Sequence, residues 1–281
     1  MSFSVSTNNI IPGSDGKPIL IDYYESKEFN GHTIIFAHGY KGYKDWGAWH
    51  LAAKQFASKG FNFVKFNFSH NGGTVSQPID FPDLETFSKN TYSKELYDLS
   101  LVIKETKNWL TKNKKPISIT LIGHSRGGGD AILQSAIDSE IQALITWSAI
   151  GDIFSRFPSG EKLSDWKEKG MMYETNKRTK QEMPVRIDIY KDAVDNKVKL
   201  DIPASASKIR IPWLIIHGDQ DEAVSYNDAL LLKSKCPSAI LINIKGAGHT
   251  YGVSHPYTND FLPDEFQQVV NKSIEFLENN L

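Results

Sequence analysis

The sequence has a single cysteine among 281 residues, almost no net charge and no long apolar run. Each shortage removes a class of protein. Cys236 alone cannot close an internal disulfide, so a fold stapled by disulfides is excluded, and near the end of an expected helix it reads as a small packed side chain. Met1 to Ile11 is polar and lacks a basic stretch followed by an apolar core. It does not read as a secretion signal, and a reducing, cytoplasmic setting is expected. The most apolar stretches, such as Trp213 to Ile216, end well short of the roughly 20 residues that span a bilayer, so no membrane partner is expected. Lys and Arg number 32 against 33 Asp and Glu, a formal net charge of −1 at pH 7. No overall field gathers nucleic acid, and no nucleic-acid partner is expected. Metal signatures such as H-E-x-x-H or clustered His/Cys spacing are missing. Gly127-Gly128-Gly129 fits neither a P-loop nor G-x-G-x-x-G, so neither a metal nor another cofactor is expected.

What is present is a chain that is 40% hydrophobic, enough to fill a substantial core. Runs rich in Ile, Val, Phe and Thr predict strands at Ile19–Tyr24, Thr33–Ala37, Phe61–Phe68, Ile117–Ile122, Ile141–Trp147, Trp213–His217 and Ile240–Ile244. Helical spacing predicts helices at Trp49–Ser58, Ser93–Lys112, Gly128–Ile137, Asn227–Lys235 and Asp264–Glu278. This alternation implies the α/β class, with a mainly parallel sheet covered by helices on both faces. The order breaks once. Residues 153–210 are too long for a plain crossover and carry Met171, Met172, Met183 and several aromatics, including Phe157 and Trp166. They are expected to form a cap over one end of the sheet, with 1–152 and 211–281 as the core. Met171 and Met172 are candidate substrate contacts, because methionine adapts to irregular apolar ligands.

Directly after the Ile117–Ile122 strand stands Gly123-His124-Ser125-Arg126-Gly127, followed by a helical run. A nucleophilic serine on a strand–turn–helix corner needs a sharp turn that projects its hydroxyl, and small neighbours that let strand and helix approach. A bare G-x-S-x-G would arise by chance in about one chain in ten of this length, so the surrounding pattern carries the weight. His38-Gly39-Tyr40 ends the Thr33–Ala37 strand, where the backbone N–H of Tyr40, with that of Arg126, could receive the charge that develops on a carbonyl oxygen. His217-Gly218-Asp219-Gln220-Asp221 ends a later strand, and Gly246-Ala247-Gly248-His249 follows the last one. A serine needs an adjacent base, and the base needs an acid to hold its tautomer. Of the eight histidines only His249 follows the last strand in a glycine-rich loop. Asp221, Asp219 and Asp152 are the candidate acids. His124 and His217 are expected to pack or bond within turns, the Arg126 side chain to point away to a surface or interhelical partner, and His70 to border the pocket.

Taken together, His38-Gly39, Gly123-His124-Ser125-Arg126-Gly127, Asp221 and His249 resemble the α/β-hydrolase superfamily, from about the first predicted strand to the final helix. The run from Ile209-Arg210-Ile211-Pro212 through Gly218-Asp219-Gln220-Asp221 is similar to the serine-aminopeptidase-like and dienelactone-hydrolase-like branches, which include small bacterial esterases such as cinnamoyl esterases. The resemblance implies the α/β-hydrolase fold and a Ser125–His249–Asp221 triad. It also implies a carboxylesterase acting on a small acyl or aryl ester through an acyl-enzyme; peptidase, thioesterase and carbon–carbon bond hydrolase chemistry use the same triad. One departure is Phe68-Ser69-His70-Asn71-Gly72-Gly73, where many relatives carry an acidic residue, an arginine and two glycines.

Overall fold

Short runs of β-branched and aromatic residues pair into one eight-stranded sheet in a computed structural model that describes residues 2–281. The chain runs through strands β1 (Phe3–Pro12), β2 (Pro18–Ser26) and β3 (Thr33–Ala37), helix α1 (Trp49–Ser58) and strand β4 (Asn62–Asn67). Helices α2 (Leu84–Ser88) and α3 (Tyr92–Lys112), strand β5 (Ile119–His124), helix α4 (Arg126–Ser135) and strand β6 (Ile141–Trp147) follow. Next come α5 (Gly160–Lys169), β7 (Met171–Thr175), β8 (Glu182–Arg186), α6 (Asp188–Asp195) and α7 (Ile202–Ala206). Strand β9 (Trp213–Gly218), helix α8 (Tyr226–Lys235), strand β10 (Ile240–Ile244) and helix α9 (Asp264–Asn280) complete the chain.

The sheet order is β1-β2-β4-β3-β5-β6-β9-β10. β2 is antiparallel to both neighbours, and every other pairing is parallel. Every residue of β3, β4, β5 and β9 is buried, which is why β3, β5 and β9 read as largely apolar runs, while β4 also buries Asn62, Lys65 and Asn67. Alternate residues face opposite layers. Ile35, Val64, Leu121 and Leu144 share one apolar cluster with Leu99 of α3 and Ile132 of α4. Phe36, Phe63, Ile122 and Ile145 share the other with Phe56 of α1 and Val270 of α9.

The expected strands and helices are present, with boundaries shifted by a few residues. Helix α4 starts at Arg126, two residues before expectation, because the turn from β5 is a single residue. Three strands were not predicted. β1 is a mostly exposed edge strand with a register shift between Ser6 and Asn9, so it lacks a clean period of two. β7 and β8 form a short antiparallel hairpin between β6 and β9. Trp166, Met183, Val185 and Leu200 of that intervening segment belong to the same apolar cluster as Ile132 and Leu144, so it shares the core of the sheet.

Parallel strands end on the same side of a sheet, and loops at that edge are where such folds gather chemistry. The carboxyl ends of β3, β5, β9 and β10 therefore bring His38-Gly39-Tyr40, Ser125, Asp221 and His249 to one edge.

Candidate active site

Ser125 joins β5 to α4 by itself, at φ 57° and ψ −120°, a region that costs a non-glycine residue about 1–3 kcal/mol. Four backbone bonds hold it there, one of them a longer contact from Gly129 N–H to its carbonyl (3.4 Å). Its N–H donates to Trp147 O (3.0 Å), and its carbonyl accepts from Gly128 N–H (3.1 Å) and Ile150 N–H (3.2 Å). The flanking glycines are a matter of space. A Cβ on Gly123 would lie 2.2 Å from Gly127 O, and one on Gly39 would lie 2.8 Å from Ser125 Cβ.

The loop after β3 brings Tyr40 beside the serine. Neither Tyr40 N–H nor Arg126 N–H donates to a protein acceptor among the described residues. His38 anchors that loop: its Nδ1–H donates to Gly39 O (2.9 Å), and its Nε2 accepts from Phe68 N–H (3.4 Å). Burial lowers the His38 pKa to about 4, so the ring stays neutral and can play both parts.

On the other side of the serine, His249 Nδ1–H donates to Asp221 Oδ2 at 2.8 Å. Asp221 Oδ1 accepts from Ala223 N–H (2.9 Å) and Val224 N–H (2.8 Å). His217 Nε2, which donates to Val224 O, lies 3.3 Å from Asp221 Oδ2. Burial would raise the Asp221 pKa. The hydrogen bonds from His217 and His249, the His249 charge and the Val224 N–H outweigh it and hold the carboxyl well below the usual range. His124 fixes the base from behind, with its Nε2–H donating to His249 O at 2.9 Å. Burial, then repulsion from His249, lowers the His124 pKa to about 3, so this histidine is neutral at physiological pH.

Ser125 and His249 line two cavities. The larger, about 350 Å³, is walled by Phe157, Trp166, Met172, Val185 and Ile189 of the segment between β6 and β9, with Tyr92 and Arg126 on the sheet side. The smaller, about 170 Å³, lies toward His38, Lys41, Trp46 and Trp49. A substrate whose reacting carbon sat at Ser125 would have room on both sides of the bond.

No protein-family model matches the chain. Among solved structures, Est1E from Butyrivibrio proteoclasticus superposes with a TM-score of 0.69 at 19% identity, over 98% of this chain and 99% of that one. The same protein with ferulic acid bound gives 0.71 at 19% identity, over 98% of each chain. Alpha/beta hydrolase domain-containing protein 10 from mouse gives 0.69 at 17% identity, over 98% and 99%. With likeness at that level along nearly the whole length, and the strand order above, the architecture is decided. This chain has the α/β-hydrolase fold.

Within that hydrolase fold, the structure brings Ser125, His249, Asp221 and the Tyr40 and Arg126 amides to one edge and sends other candidates elsewhere. Asp219 accepts from Gly246 N–H (2.7 Å) and Asn243 Nδ2 (3.3 Å), tying two loops together at the surface. Asp152 accepts from Phe154 and Ser155 N–H and caps a turn. His70 corrects an expectation: it does not border either cavity at Ser125. Asp98 of α3 accepts from the N–H and O–H of Ser69 and turns this loop toward the helix, where His70 is buried against Ser69, Asp15 and Lys94. Met171 is a second correction. Met172 of β7 lines both the larger cavity and an outer groove beside it, whereas Met171 lines only the groove. The Arg126 side chain is a third. It does reach toward an interhelical partner, Glu95 of α3, yet it also lines the larger cavity. Tyr92 and Arg156 line that cavity without any local signal in the sequence, since each is placed by packing between elements far apart in the chain.

Proposed function

We propose that the chain is a serine hydrolase that cleaves small-molecule carboxylic esters. The observation that carries this reading is the convergence of Ser125, on its strained corner, and the Asp221-bonded His249 on the same two cavities. The ester preference is further supported by the likeness to Est1E, whose structure with ferulic acid bound shares the fold. In this reading Ser125 Oγ attacks the ester carbonyl as His249 Nε2 takes its proton. Asp221 holds the Nδ1–H tautomer and stabilises the imidazolium. The Tyr40 and Arg126 N–H groups receive the oxyanion, in a site where fixed dipoles need no reorganisation. Collapse expels the alcohol with a proton from His249, and water, activated by the same ring, releases the acid from Ser125. Residues 153–210 act as a cap whose apolar wall selects the group admitted to the larger cavity.

A fluorophosphonate probe should label Ser125 and no other serine in the folded protein, as read by peptide mass spectrometry. An unlabelled Ser125 beside a labelled control hydrolase would sink the nucleophile assignment. Asp221→Asn should lower kcat on an activated aryl ester by about 10⁴-fold, by the loss of the correct tautomer. Asp219→Asn, remote from His249, should leave it nearly unchanged. The reverse ranking would move the acid to Asp219.

A further inference from the structure

That mechanism uses only the backbone of Arg126. Its guanidinium lies against two aromatic faces, with Cζ 4.0 Å from the centre of the Tyr40 ring and 4.7 Å from that of Tyr92. The group carries five N–H donors, yet none is bonded to a described residue. Nη1 is sealed from solvent without a partner, 3.6 Å from Glu95 Oε1, too far for a hydrogen bond. Glu95 is its ion-pair partner at that distance, and Asp130 acts on it as well. Burial raises the pKa of Glu95, and burial with repulsion from Glu95 raises that of Asp130 well above its ordinary value.

The other charged groups of the larger cavity are already paired. Arg156 donates to Asp228 Oδ2 (2.7 Å) and Ala223 O (3.2 Å), and Glu174 accepts from Lys41 Nζ (2.7 Å). Arg126 is thus a cation with unfilled donors on the wall of the cavity that holds Ser125. With two tyrosine rings against it and Nη1 sealed, the edge left is that of Nε and Nη2, whose parallel N–H groups match the two oxygens of a carboxylate.

We infer that Arg126 is a specificity residue that binds a carboxylate carried by the part of the substrate held in the larger cavity, so that the favoured substrates are half-esters or carboxylate-bearing aryl esters. This rests on the serine-hydrolase reading. It is tested by two matched pairs: p-nitrophenyl hydrogen glutarate against p-nitrophenyl valerate, with the carboxylate on the acyl side, and 4-acetoxybenzoate against phenyl acetate, with it on the leaving side. After correction for alkaline hydrolysis rates, the ratio of kcat/KM, acidic over neutral, should exceed one in one pair and fall by roughly tenfold or more in Arg126→Met. The pair that responds identifies which half of the ester occupies the cavity. Arg126→Lys keeps the charge but not the fork and should lower the same ratio; it serves if the methionine variant does not fold. Ratios unchanged in the folded variants overturn the proposal. A binding readout separates the two readings. Glutarate or 4-hydroxybenzoate, titrated by calorimetry into Ser125→Ala, should bind, and binding should weaken roughly tenfold when Arg126→Met is added. Binding that depends on Arg126, together with no ester turnover by the wild-type protein, would defeat the hydrolase reading and leave the carboxylate site standing. Binding indifferent to Arg126 would defeat the site alone.

Discussion

Two clusters of buried charge flank the loops around Ser125, and they are built to opposite plans. In the first, Asp22 of β2 and Lys65 of β4 are cross-strand partners, joined by Lys44 and Asp45 from the loop that carries Tyr40. Asp22 Oδ2 accepts from Lys44 Nζ (2.9 Å) and Lys65 Nζ (2.7 Å), and Oδ1 accepts from Asn8 N–H (2.8 Å). Both ammonium groups also reach Asp45. Two positive and two negative groups cancel, and the Asp22 oxygens and both lysines are bonded. In the second cluster, Arg126 donates no hydrogen bond within the described residues, both oxygens of Asp130 lack a partner, and so does Tyr92 Oη. Buried polar and charged groups left in this state cost stability. The closed cluster lies away from the cavities and fastens a loop. The open one borders a cavity, where a ligand can complete it.

The comparison is most sharply broken in the closed cluster. Asp22→Asn should leave two buried ammonium groups undercompensated and lower the unfolding free energy by about 3–5 kcal/mol in urea titration. If the loss is small, the cluster is hydrated and the contrast fails. Asp130→Asn should act in the opposite sense. A carboxyl whose pKa is raised on folding keeps its proton in the native state after the unfolded chain has lost it. Wild-type stability is therefore reduced from the ordinary carboxyl range near pH ~4 upward. The amide variant escapes that penalty. It should match wild type below this range and be the more stable of the two at neutral pH, by less than the Asp22→Asn loss, as followed by melting temperature against pH. A variant less stable than wild type at neutral pH would mean that Asp130 is ionised and paired. The smallest effect concerns the wall facing Arg126. Met172→Ala should change relative rates among acyl groups while sparing the smallest ester, and Met171→Ala, outside the cavity, should change none. Equal behaviour of the two would remove the assigned boundary between cavity and outer groove.

Much of the framework is legible in the chain alone. Apolar runs ended by glycine-rich turns marked the buried strands, since strands covered on both faces have few polar positions to blur the pattern. The corner at Ser125 was legible for a local reason: β5, one residue and α4 meet so closely that Gly123 has no room for a Cβ. The edge strand β1 was not legible because it is mostly exposed and offers no apolar face from which a period could be read, and the β7–β8 hairpin was not because only Met183 and Val185 of β8 turn into the core, on either side of Pro184, too short a pattern to separate from a loop.

Side-chain direction was decided elsewhere. Asp219 and Asp221 stand two residues apart in one loop, and from the residues alone both remained candidates. Only in the folded chain is Asp221 turned inward, where its second oxygen is held by the amides of Ala223 and Val224 and its first meets a histidine 28 residues further on. His70 is drawn off toward α3 by Asp98, and Arg126 is drawn against Tyr40 and Tyr92 from two other elements. The sequence by itself determined which elements form and which reactive groups end at the sheet edge, because turn chemistry and apolar periodicity are local. Which of those groups touch, and which donors stay unbonded beside a cavity, was determined by the tertiary structure, because those contacts join residues that the chain keeps far apart.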